Sequence, residues 1–118
     1  MPATNCKIEL DFFSGVQNPS LEITMEDFKT LYREVIALEK SVSSNLFDGL
    51  GFRGFILTAT NSTFIYIQKK IIKIETVNDI QYFKSNHDII LKVIKLFKSY
   101  DRENNFNALI KKTMDEYL

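Results

Sequence analysis

Apolar positions recur along this chain with two different periods, and the changes of period mark out its elements. Cys6, Ile8, Leu10 and Phe12 alternate with Lys7, Glu9, Asp11 and Phe13. A period of two predicts a half-buried strand over about residues 5–13. The next stretch, Ser14 to Ser20, holds Gly15, Asn18 and Pro19 and is expected to be a loop, since each of these residues favours turns for its own reason. Ser20-Leu21-Glu22-Ile23 reads as a short second strand. From Met25 the period lengthens: Met25, Phe28, Leu31, Tyr32, Val35, Ile36 and Leu38 fall near one helical face. Thr24 supplies an oxygen for an orphan N–H, and Glu26 and Asp27 suit the positive end of the dipole. A helix is therefore predicted over about 25–40.

A polar stretch from Ser41 to Gly54 follows, with glycines at 49, 51 and 54 and large apolar residues at 46, 47, 50 and 52. It is expected to be a loop that packs down. Residues 54–60, 63–68 and 71–75 are rich in β-branched and aromatic side chains and are broken at Asn61-Ser62 and near Lys69-Lys70, which predicts a three-strand meander. In its middle strand Phe64 and Tyr66 share one face and Ile65 and Ile67 the other. With both faces apolar, this strand is expected to be central and covered on both sides. Thr76 to Ser85 is ambiguous, and Asp79–Phe83 suits either a helical turn or a short extended piece. Ser85 or Asn86 then caps a helix with Ile89, Ile90, Val93, Ile94, Leu96, Phe97 and Tyr100 inward and Lys92, Lys95 and Lys98 outward. After a break at Asp101-Arg102, a last helix is predicted over about 103–117. The order is ββ-α-βββ-α-α. The expectation is a single α+β domain over residues 1–118, a small antiparallel sheet with helices packed mainly on one face.

Composition narrows the function classes. The chain has 118 residues, 45% hydrophobic and 25% charged, enough for a core without disulfides or metal. The single cysteine, Cys6, cannot form an internal disulfide. No apolar run approaches the roughly 20 residues of a membrane span. The opening residues lack a basic stretch followed by an apolar one, so no leader is expected and the cytoplasm is the expected location. The net charge is zero. Residues 1–60 are more acidic and residues 61–118 more basic, which suits a molecule with differently charged ends.

Candidate chemistry is sparse. One histidine and one cysteine do not make a zinc site, and no metal or cofactor is expected. His87 falls in the first turn of a helix with no nucleophile or orienting acid marked beside it. Gly49, Gly51 and Gly54 match G-x-G-x-x-G literally, but they open a strand, whereas a phosphate loop must open a helix. The lysines at 92, 95 and 98, with Lys69, Lys70 and Lys73, form the one basic stripe. A neutral chain with three arginines argues against nucleic acid. The remaining polar candidates for binding are Asp11, Ser14, Asn18, Asp48 and Arg53, with Arg53 placed to pair with Asp11 or Asp48. The expected function is that of a non-enzymatic protein-binding module, in the manner of an immunity or antitoxin-like inhibitor. The alternative is a small-ligand module using the 11–20 and 48–54 loops. No nucleic-acid or membrane partner is expected, and a homo-oligomer through an edge strand or helix stripe is open.

Two pieces also carry a resemblance. Glu9-Leu10-Asp11-Phe12-Phe13-Ser14-Gly15-Val16-Gln17-Asn18-Pro19-Ser20 and Leu50-Gly51-Phe52-Arg53-Gly54-Phe55 resemble a group of small bacterial proteins of unknown function. That group has Asp-x-Phe-Ser-Gly-Arg-Pro-Asn-Pro near its start and Gly-Tyr-Arg-Gly-Phe before a strand. Here Val16-Gln17 stands for Arg-Pro and Phe52 for Tyr. The resemblance implies no activity; it implies that the first loop and the Arg53 loop belong to one recurring unit.

Overall fold

The structure, a computed structural model, describes residues 6–13, 18–46, 51–60, 62–103, 105, 106, 108 and 110–112. Among these residues six strands and two full helices follow in order: β1 (Cys6–Phe13), β2 (Ser20–Ile23), α1 (Met25–Ile36), β3 (Gly51–Ala59), β4 (Thr63–Ile67), β5 (Ile71–Glu75), β6 (Ile80–Lys84) and α2 (His87–Tyr100). Of the last helix expected over 103–117, residues 108 and 110–112 are helical, residues 103, 105 and 106 lie in turns because the Asp101 carboxylate holds the N–H groups of Asn105 and Phe106, and residues 113–117 lie outside the described residues. The strands form one antiparallel sheet in the order β2-β1-β3-β4-β5-β6. Residues 80–84 take the extended alternative and add the sixth strand.

Both helix starts follow the capping chemistry of the sequence. The Thr24 side chain accepts the Asp27 N–H, and the Asn86 side chain accepts the Ile89 N–H. Helix α1 ends at Ile36, short of residue 40, because the chain turns to bring Lys40 against the outer edge of β6. There the Lys84 N–H donates to the Glu39 carbonyl and the Ser41 N–H to the Tyr82 carbonyl. This pairing covers an edge that would otherwise expose free backbone groups.

Alternation along the strands sends Cys6, Ile8, Leu10, Phe55, Leu57, Ala59, Ile65, Ile67, Ile72, Ile74 and Phe83 to one face of the sheet. Phe28, Leu31 and Val35 of α1 and Ile89, Ile90, Val93, Ile94 and Phe97 of α2 complete the same core. Both helices therefore pack on one face. The Tyr100 hydroxyl ties them together, accepting the Thr24 N–H and donating to the Asp27 carboxylate. Past α2, the buried Asp101 carboxylate accepts the N–H groups of Asn105 and Phe106 and turns the chain back, so that Phe106 meets Phe97 edge to face.

Strand β4 is central, as expected, but among the described residues helices cover only one of its faces. Ile65 and Ile67 are fully buried, but Phe64 and Tyr66 are only partly so, and among the described residues no helix lies over them. Apolar residues on both faces of a strand were read as two covering layers. In the sheet, the second face instead carries aromatic rings among charged neighbours, which tolerate partial exposure.

Candidate functional site: the open face of the sheet

The face that no described helix covers, called here the open face, is built by strand register. One row across the sheet runs Glu22, Lys7, Thr58, Phe64, Glu75, Ile80, and the next runs Ser20, Glu9, Ile56, Tyr66, Lys73, Tyr82. Phe64 and Tyr66 stack along β4 with ring centroids 6.3 Å apart. On the neighbouring strand, the Lys73 ammonium lies 4.8 Å from the centre of the Tyr66 ring and 3.0 Å from the Glu75 carboxylate. Burial pushes the Tyr66 phenol above its ordinary pKa, and the Glu75 charge adds to that rise, so the ring is neutral through the physiological range.

Lys7 lies 3.7 Å from Glu9, and the Asn18 amide donates to Glu9 at 2.9 Å. The next row starts at Asp11, opposite Gly54. The register then steps from Asp11–Gly54 to Phe12–Phe52, leaving Arg53 as the extra residue of a bulge. Regular alternation would send Arg53 to the core face with Phe55. The bulge re-aims it to Asp11, which it meets at 2.9 Å, both side chains being mostly buried. The bulge also brings Gly54, at φ 129°, against the end of β4. Residues 9–13 of the first sequence piece and 51–55 of the second are thus joined through one strand pair.

Of the five binding candidates, Asp11 and Arg53 are paired with each other and Asn18 with Glu9 one row away, while Ser14 and Asp48 lie outside the described residues. Asp11 and Arg53 sit within strands. His87 is exposed in the first turn of α2. Lys92 pairs with Glu34 of α1, and Lys95 and Lys98 are exposed beside it. Strand β3 begins at Gly51, three residues before the expected 54, because residues 51 and 52 pair with Phe13 and Phe12, so 51–54 is strand and not the expected loop; Gly49 lies outside the described residues. A shallow depression of about 210 Å³ between α1 and the β3–β4 turn is lined by Met25, Phe28, Lys29, Tyr32, Ala59 and Thr63. Among the described residues no group of three potential metal ligands occurs, and no helix is long and apolar enough to cross a membrane.

Cys6 is fully buried, with its thiol 3.8 Å from the Met25 sulfur. Burial raises its pKa above the ordinary thiol value. Thiolate is the reactive species, so at pH 8 alkylation of the folded chain is expected to be at least about tenfold slower than of the urea-unfolded chain. Equal rates, followed by mass spectrometry, would contradict this placement.

Sequence reasoning missed Ile56, Tyr82 and Ile80 as members of one surface with Phe64 and Tyr66. The signal was present in the alternation of the meander, but only the register shows which side chains share a row. Comparison with known proteins adds no constraint: no protein-family model, curated protein or solved structure matches the chain.

Proposed function

We infer that this chain is a protein-binding module whose contact surface is the open sheet face. The observation that carries the reading is the partly exposed patch of Ile56, Phe64, Tyr66 and Tyr82, bordered by Ile80 at 50% exposure. Aromatic anchors inside a charged rim are what a protein interface uses. A nucleic-acid strand also stacks on aromatic rings, but it needs cations free to meet phosphate. On this face each of Lys7, Arg53 and Lys73 already faces a carboxylate, which favours a protein surface. Within that class, the function is immunity or antitoxin-like: the face covers a partner's working surface and so inhibits it.

The test is capture from the source organism's lysate at about 150 mM salt with three baits: wild type, Tyr66→Ser and Lys95→Ala. A partner retained by wild type and Lys95→Ala, and reduced at least about tenfold by Tyr66→Ser, supports the reading, since removing an aromatic anchor costs 2 kcal/mol or more. Equal capture by all three baits, or by none, counts against it.

A further inference from the structure

We propose that in the free protein the open face is covered by a second copy of this chain, so that any other partner must compete with self-association. The inference rests on reading that face as a protein-binding surface, and it adds what occupies the face beforehand.

The argument is one of symmetry and charge. Six strands in the order β2-β1-β3-β4-β5-β6 place the midline of the sheet between β3 and β4. A two-fold axis parallel to the strands on that midline lays one open face on another. It sets β1 of one copy over β5 of its partner, and β3 over β4. Positions along the strands are kept, so each row of side chains meets its own copy reversed. In the first row Lys7 then faces Glu75 of the second copy and Thr58 faces Phe64. In the second row Glu9 faces Lys73 and Ile56 faces Tyr66. Lys7–Glu9 and Lys73–Glu75 are ion pairs within each copy, so the contact joins them into a four-charge network that occurs twice; Ile56, Phe64 and Tyr66 meet at the centre, and Glu22 opposite Ile80 falls at the rim. A closed two-fold contact demands this self-complementarity, in which residue i meets j and j meets i. Sheets stacked this way sit about 10 Å apart and rotate by about 30°, which moves β1 and β5, about 7 Å from the axis, by about one residue, within reach of lysine and glutamate side chains.

Dimension sets the strength. Five steps of about 4.8 Å between strands and five residues of about 3.4 Å make the face roughly 24 by 17 Å. That is about 400 Å² from each copy and about 800 Å² in all, below the roughly 1,200 Å² of a stable interface, so a weak dimer exchanging at about 100 µM is expected. An interface of that strength is displaceable by a tighter partner.

The experiment is sedimentation equilibrium on the full chain, with circular dichroism to confirm that each variant is folded. Wild type is expected to shift with concentration from 13.7 kDa to twice that mass. Glu9→Lys alone, or Lys73→Glu alone, sets like charges opposite each other twice and is expected to weaken the dimer at least about tenfold. An equimolar mixture of the two variants sets introduced lysine against introduced glutamate and native lysine against native glutamate. It is expected to recover to within about threefold of wild type. Wild type that stays monomeric to about 300 µM, single variants that dimerise normally, or a mixture of folded variants that does not recover would each overturn the proposal. A monomeric wild type whose captured partner is still lost with Tyr66→Ser would remove the second copy and leave the binding reading standing.

Discussion

Gly54→Ala is expected to destabilise the protein by more than about 3 kcal/mol, the sum of a strained backbone and a collision. At φ 129° a residue with a Cβ is strained, at a cost of about 1–3 kcal/mol. A Cβ at this position would also stand 2.2 Å from the Ile67 carbonyl oxygen, in the backbone of β4. A backbone atom in a paired strand cannot rotate aside as a side-chain tip can. Relief would require the β3–β4 pairing to part at Phe55–Ile67, where the core begins. Urea denaturation of Gly54→Ala beside Thr58→Ala, which trims a half-exposed side chain on the same strand, isolates the effect. A loss below about 1 kcal/mol for Gly54→Ala would mean the bulge is not built as described.

The second large effect is expected at Phe97. Its side chain is fully buried where α2 lies on the sheet, and its ring meets Phe106 edge to face at a centroid distance of 5.8 Å. Phe97→Ala leaves a cavity and removes the aromatic contact that holds the segment after Asp101, for an expected loss of about 3–5 kcal/mol. A domain of this length is stable by roughly 6–18 kcal/mol, so this is a large fraction of the total. Leu96→Ala, one position away and partly buried, should cost clearly less. Similar losses at the two positions, measured by thermal and urea unfolding, would contradict the orientation of α2.

The architecture was readable where periodicity and capping agree. The two-residue repeat of Cys6 to Phe12, the Thr24 and Asn86 caps and the stripes of both helices led to an α+β fold with its helices on one side, as found. Strand β6 was ambiguous because its outward positions, Ile80 and Tyr82, are apolar and blur the alternation. Its extended state is selected by pairing with β5 and with Lys40, which are tertiary contacts. The Asp11–Arg53 pair was foreseen as one of two options, but the bulge that makes it possible was not, since a one-residue register shift leaves no mark on composition. The open face was misjudged for a related reason. Apolar alternation identifies two faces of a strand but carries no information on whether a second layer exists.

The strand order also sets how the chain can assemble in time. The pairings β1–β2, β3–β4, β4–β5 and β5–β6 each join neighbours in sequence across a short connection and cost little chain entropy to close. The β1–β3 pairing is different. It brings together segments separated by all of β2, α1 and the stretch that follows. Closing that loop carries the larger entropy cost, and by the dependence of folding rate on contact order it is the slow step. Until it closes, the early hairpin and the later meander are separate fragments, each with its unpaired β1 or β3 edge open to another chain. The bulge at Arg53 and Gly54 lies in this last seam, so the same residues that aim the arginine also define the register in which the two halves must meet.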